Sequence, residues 1–194
     1  MKKRRLGLED WQVFILSSIF GWVDRKTGIR KYREAFILCP RGNGKSPLAA
    51  IVALWMTFFD GEPGAEVYCG ANTEKQAWEA FRPARAMVEQ EPALGGVGIV
   101  AAAKSIFKEA TRSRFQPVIG KPGDGASVYC GILDEWHEAD DAVLYDCFKT
   151  RANKRKNSLI FIISTAGVTN NGPCYAKQLD VEQILDGQAR KRAQ

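Results

Sequence analysis

Paired cysteines are missing from this sequence of 194 residues: Cys39, Cys69, Cys130, Cys147 and Cys174 are odd in number, far apart and form no C-x-x-C motif. That pattern excludes a disulfide framework, and the five read as reduced core residues of a cytosolic protein. Long apolar runs are also missing. The basic opening Met1-Lys2-Lys3-Arg4-Arg5 leads into no stretch long enough for a signal core or a membrane span, so a cytoplasmic protein without membrane contact is expected. Internal repeats and low-complexity segments are absent, and with 45% hydrophobic residues the chain suits one compact domain with a sizeable core. Acidic residues are outnumbered, 22 against 28 Lys and Arg, and the net charge of +6 is compatible with an anionic partner such as nucleic acid without identifying one.

What is present is a succession of short apolar runs and helical patterns. Leu8 to Trp22 places Leu8, Trp11, Phe14, Ile15, Ile19 and Trp22 close to three-four spacing, which predicts an amphipathic helix on the core. Ala35 to Cys39 predicts a strand, and Leu48 to Phe59, apolar on nearly every side, predicts a helix buried on both faces. Ala65 to Cys69 is a second strand. Thr73 with Gln76 three residues on starts a helix to about Gln90, which Pro83 should kink or shorten. Val97 to Ala103, Ser105 to Ala110 and Arg112 to Ile119 are further strand candidates, and Gly120 to Gly125 is a turn. Ser127 to Leu133 and Leu159 to Ile163 predict buried strands, with helices over 142–152 and 173–185. Strands alternating with helices, the strands apolar on both faces, argue for an α/β domain with a mainly parallel sheet flanked by helices.

Chemistry concentrates where three of these strands end. Pro40-Arg41-Gly42-Asn43-Gly44-Lys45-Ser46, between a strand and a helix, has the make-up of a phosphate loop. Gly42 and Gly44 let backbone N–H groups of the loop, from Arg41 and Asn43 onward, turn inward; Lys45 can reach outer phosphates; the Ser46 hydroxyl can ligate Mg²⁺. Asp134 and Glu135 close an apolar strand. An aspartate there can hold Mg²⁺ through water, and the next carboxylate can orient and deprotonate a water attacking a γ-phosphate. Ser164 and Thr165 close a third strand, where a hydroxyl pair can sense that phosphate. Gln12, a strand's distance upstream of the loop, is either a hydrogen-bonding partner for an adenine edge or a solvated helix residue. His137 reads as a structural residue rather than a base, because Glu135 already fills that role. Arg151 to Lys156 (RANKRK) is either a contact for DNA phosphates or a charged turn, and Arg190-Lys191-Arg192 belongs to a basic tail over 188–194 expected to be disordered.

Together, Pro40 to Ser46, Leu133-Asp134-Glu135-Trp136-His137 and Ile163-Ser164-Thr165-Ala166-Gly167 resemble the ATPase motor domain of the large terminase subunit of tailed bacteriophages and prophages. Weaker echoes are Trp11-Gln12, Gln76-Ala77 and Asp124-Gly125, and the resemblance covers roughly Leu8 to Gly187. It implies a P-loop NTPase fold of the additional-strand, catalytic-glutamate type over 1–187. It also implies a DNA-packaging motor that uses ATP and Mg²⁺ to move double-stranded DNA into a procapsid. The implied partners are a portal protein, a terminase small subunit and further copies in a homo-oligomeric ring, in the bacterial host cytoplasm. An arginine from a neighbouring subunit often completes such a site, for which Arg112 and Arg114 are the candidates here, or else ordinary surface arginines.

Two departures set the limits of the resemblance. Cys39 stands where G-x-x-x-x-G-K-[ST] has its first glycine, and the chain stops at Gln194, short of the further strands and nuclease domain of family members. A fragment incomplete at its C-terminus, without the nuclease, is expected. Two other readings are a catalytically silent assembly module and a helicase-like DNA-dependent ATPase, the latter requiring a second motor domain.

Overall fold

Large side chains alternate along the central strands, and that alternation divides the core in two. In the computed structural model, which describes residues 7–71, 73–123, 125–167 and 171–187, the order is α1 (Asp10–Gly21), β1 (Glu34–Leu38), α2 (Lys45–Phe58), β2 (Glu66–Ala71), α3 (Glu74–Gln90) and α4 (Pro92–Gly96). There follow β3 (Val100–Ala101), β4 (Ile106–Lys108), β5 (Ser113–Ile119), β6 (Val128–Asp134), α5 (Val143–Ala152), β7 (Leu159–Ser164) and α6 (Gly172–Leu185). Phe161 and Ile163 of β7, with Val67 and Cys69 of β2, point to the face covered by α1, α2 and α3. Ile160 and Ile162, with Tyr68, point to the face covered by α5 and by Cys174 of α6. Period-two alternation on a sheet buried from both sides gives this sandwich of helix, sheet and helix.

The seven strands lie in the order β1-β7-β6-β2-β5-β4-β3. The first five are mutually parallel; at one edge β4 pairs antiparallel with β5, and β3 pairs antiparallel with β4. β7 is therefore inserted between the strand that leads into the phosphate loop and the strand that ends in the carboxylates. Register Leu38 to Ser164 and Asp134 to Ile163 brings three strand ends to one edge of the sheet.

Several local expectations are corrected. Val97 to Ala103 forms a strand only at Val100–Ala101, because 92–96 has already coiled into α4 behind a Glu91 cap. α2 is not buried on every side: Trp55 and Phe59 are exposed, their rings in a tilted contact with centroids 6.2 Å apart and Trp55 Nε1 donating to Asp60. α3 runs unbroken for 17 residues across Pro83. Burial of Ala77, Ala80, Phe81, Ala84 and Val88 outweighs the roughly 3 kcal/mol that an interior proline costs. Cys69, Cys130 and Cys174 are buried core thiols as expected, but Cys39 and Cys147 are only half-buried. Asp124 and the tail Arg190-Lys191-Arg192 lie outside the described residues.

α5 approaches the sheet closely because β2 and β6 offer it glycines. A Cβ on Gly131 would stand 2.5 Å from Phe148 Cδ2, and one on Gly70 would stand 2.7 Å from Phe148 Cζ. Phe148 is fully buried and has nowhere to retreat. Gly131→Ala is expected to lower stability by about 1–3 kcal/mol through overpacking, read as a lower urea midpoint. An unchanged midpoint would show that α5 is not seated on this glycine.

Candidate nucleotide site

The loop from Cys39 to Gly44 is built on two residues that only glycine fills easily. Gly42 and Gly44 have φ of 82° and 71°. Gly44 is restricted twice, since a Cβ there would also stand 3.3 Å from Gln12 Nε2. Cys39 needs no such freedom. Among the described residues only Arg112 and Glu135 are non-glycine with positive φ, so the backbone at Cys39 accepts a side chain, which packs against the core. Its N–H donates to the Ser164 carbonyl at 3.0 Å and continues the β1–β7 ladder into the loop.

Lys45 opens α2 and is 6% exposed. Its Nζ donates to the Pro40 carbonyl at 3.3 Å and pairs with Glu135 Oε1 at 3.3 Å. Glu135 is held there by an αL backbone, φ 52° and ψ 42°, its N–H donating to the Ile163 carbonyl. A left-handed glutamate is a strained conformation that turns the side chain off the strand and over the loop. Thr165 Oγ1 donates to Glu135 Oε2 at 3.2 Å, and the His137 ring nitrogen Nδ1 lies 3.3 Å from the same oxygen. Ser164 Oγ accepts from the His137 backbone N–H at 3.1 Å, and the thiol of Cys174 lies against the same hydroxyl.

Asp134 is 5% exposed, and neither of its buried carboxylate oxygens has a hydrogen-bond partner of normal geometry. Burial pushes its pKa up to about 6, opposed by the nearby Ser46 hydroxyl and reinforced by the Glu135 charge. An orphaned buried carboxylate beside a hydroxyl is a pair of hard oxygen donors, and that fits Mg²⁺. Among the described residues no group of three or more His, Cys, Asp or Glu could hold a metal on its own. Mg²⁺ commonly takes one or two protein oxygens and fills its other positions with phosphate and water. A carboxyl with its folded pKa above the unfolded value stabilises the fold fully below about pH 4 and loses that contribution as pH rises through 6. Without ligand, the protein is expected to lose roughly 3 kcal/mol over that interval, and Asp134→Asn flattens the dependence in urea unfolding at stepped pH. A wild-type profile as flat as the variant's would contradict the burial argument.

A cleft of about 600 Å³ opens beside these groups, lined by Leu38, Cys39, Pro40, Arg41, His137, Thr165 and Ala166. Its size and position suit a nucleotide's phosphates and sugar. The structure thus brings together Arg41, Gly42, Asn43, Gly44, Lys45, Ser46, Asp134, Glu135, Ser164 and Thr165. Gln12 joins them from behind: it is 7% exposed, so the solvated reading is excluded. Its Oε1 accepts from the Glu9 N–H at 3.0 Å, closing the helix cap.

Other expected residues are not brought together. Arg112 and Arg114 sit at the start of β5, the opposite end of the parallel sheet from Lys45, with Arg114 paired to Glu66 at 2.7 Å. In the 151–156 cluster, Arg151 donates to the Pro122 and Gly123 carbonyls, and Arg155 is spent on Glu62, Ser127 and two backbone carbonyls. Only Lys154 and Lys156 remain as exposed cations of that cluster. One contact was invisible in the sequence. Gln76 of α3 donates to Glu138, tying α3 to the turn Trp136–Glu138 behind the carboxylates. The partners are 62 residues apart, and the Thr73 cap already accounted for Gln76.

Residues 10–183 match the family described as "Terminase large subunit, ATPase domain". The chain belongs to that family. The terminase ATPase domain superimposes on the crystal structure of the HK97 bacteriophage large terminase with a TM-score of 0.77 over 96% of its length, at 20% identity. It superimposes on the large terminase ATPase domain of Thermus phage P74-26 with a TM-score of 0.56, covering 85% of this chain and 72% of that one at 19% identity. These likenesses establish a shared P-loop fold. A stretch of 67 residues is 39% identical to protein YmfN of Escherichia coli K12, 34% of this chain and 15% of that protein. The terminase domain spans 38% of the HK97 chain. Among its described residues no helix is long and apolar enough to cross a membrane.

Proposed function

We propose that this chain binds Mg²⁺-ATP in the cleft between the phosphate loop and Glu135 and hydrolyses it, as the motor that drives double-stranded DNA into a viral procapsid. One observation carries the reading: Lys45 with Ser46, Ser164 with Thr165, and Asp134 with Glu135 end three adjacent parallel strands or open the helix beyond, in the spatial order β1, β7, β6. Loop N–H groups and Lys45 bind the phosphates, and the Gln12 amide reaches the adenine edge. Ser46 and Asp134 would hold Mg²⁺, which neutralises phosphate charge when bound. Glu135 takes a proton from the attacking water once Lys45 has moved to the phosphates. Ser164 and Thr165, hydrogen-bonded to the turn that carries Glu135, report phosphate loss to the sheet.

The chain works in this reading as a homo-oligomeric ring with a portal protein and a terminase small subunit, in the host cytoplasm. Lys154 and Lys156 are cations for DNA phosphates. A head-to-tail ring brings a different face of one subunit to the site of the next. Arg112 is the better neighbour arginine, since Arg114 is engaged with Glu66. Steady-state ATP turnover, with and without linear duplex DNA, tests the proposal. Mg²⁺-dependent turnover that DNA raises is expected, with Arg112→Ala falling ~10³-fold or more in assembled rings alone. Nucleotide binding without turnover in any assembly would favour the silent-module reading, and full turnover by Arg112→Ala rings would remove that arginine.

A further inference from the structure

His137 is the chain's single histidine, and its ring has three side-chain oxygens within 3.3 Å whose protons can be assigned. A fourth, Glu138 Oε1, stands 3.9 Å from Nε2, beyond hydrogen-bond distance. The Ser164 hydroxyl has one proton, which it donates to the Thr165 carbonyl at 3.0 Å, while its oxygen accepts from the His137 backbone N–H. The Thr165 hydroxyl spends its one proton on Glu135 Oε2. Both hydroxyls are left with lone pairs alone, and an ionised carboxylate has nothing else. His137 Nδ1 lies 3.0 Å from Ser164 Oγ and 3.3 Å from Glu135 Oε2. Thr165 Oγ1 is almost equidistant from Nδ1 and Nε2, at 3.2 and 3.3 Å, and does not discriminate between them. Ser164 and Glu135 do. A lone pair on Nδ1 would face two further lone pairs at hydrogen-bond distance, whereas an N–H there meets two acceptors.

We infer that His137 carries its proton on Nδ1 and acts as a positioning residue, fixing Glu135 Oε2 against the Ser164-Thr165 pair. Oε1 is left to Lys45 at rest, and to the attacking water when ATP draws Lys45 away. The glutamate then needs no reorientation, because only the partner of its other oxygen changes. The ring is itself well placed to hold it: its side chain is 10% exposed, in a turn anchored by buried Trp136 and by the Gln76 to Glu138 bond. This assignment rests on Glu135 being the base, but the proton on Nδ1 can be observed without any turnover.

Two-bond ¹H–¹⁵N correlation spectra of the purified chain contain one imidazole and report which nitrogen bears a proton. A proton on Nδ1, with or without a second on Nε2, is expected; a ring protonated on Nε2 alone overturns the inference. Substitution tests the positioning role. Asparagine places an N–H donor where Nδ1 stood, and glutamine places one where Nε2 stood. His137→Asn is expected to recover most of kcat, while His137→Gln and His137→Ala lose about tenfold with KM for ATP nearly unchanged. Equal loss in the asparagine and glutamine variants, or no loss in either, overturns the positioning role. Unaltered turnover in Glu135→Gln would instead remove the base, leaving the result on the Nδ1 proton standing by itself.

Discussion

Glu135→Gln is expected to bind Mg²⁺-ATP as the wild type does and to hydrolyse it ~10²- to 10⁴-fold more slowly, the usual contribution of a positioned general base. The substitution keeps the shape of the side chain and a hydrogen-bond acceptor for Thr165, whose hydroxyl stands 3.2 Å from Glu135 Oε2. It removes the charge that pairs with Lys45 and the basicity needed to take a proton from water. Single-turnover hydrolysis measured beside equilibrium binding separates the two effects. A loss of binding equal to the loss of turnover would mean that Glu135 organises the phosphate loop instead of activating water, and equal turnover would remove it from the chemistry.

Lys45→Ala produces the opposite division: nucleotide affinity falls by about 10²-fold, consistent with the ~1.5–3 kcal/mol of a hydrogen bond to a charged group. In the free protein Lys45 is already desolvated, held by the Pro40 carbonyl and by Glu135, so its exchange of partners for phosphate oxygens costs little further dehydration. The same ion pair predicts that the alanine variant leaves Glu135 without its cation, yet Glu135 keeps contact with Thr165 and His137 and the fold persists. Isothermal titration with a non-hydrolysable ATP analogue reads the change directly. Affinity within twofold of wild type would show that the phosphates lie elsewhere than at this loop.

Much of this geometry follows from short stretches of sequence. The runs ending at Asp134 and Ser164 are apolar enough to be buried parallel strands, and the run ending at Leu38 forms a half-buried parallel strand at the sheet edge. Gly42 and Gly44 announce the turn that needs their positive φ. Once the strands are parallel, their polar ends must share an edge. What local pattern could not supply is pairing order and direction. Arg112 and Arg114 stand close in sequence to the strand carrying Asp134, yet β5 pairs parallel to β2, and its start lies at the far edge of the sheet. Gln12 looks solvated in an amphipathic helix because its burial comes from Gly44, 32 residues on, where a missing side chain leaves it room. Arg151 and Arg155 look like a surface cluster because the carbonyls they hold, at Pro122, Gly123, Pro63 and Gly64, belong to turns with no sequence signal for an arginine. In each case the deciding contact is long-range.

The measurement that bears most directly on the account is titration of the purified wild-type chain with a fluorescent ATP analogue, in the presence and absence of Mg²⁺. Saturable binding that tightens with Mg²⁺, and loses that dependence in Asp134→Asn, is the predicted result, because the two orphaned oxygens of Asp134 are the feature of the site that calls for a cation. Binding that ignores Mg²⁺, or no binding at all, would contradict the assignment of these strand ends as an ATP site.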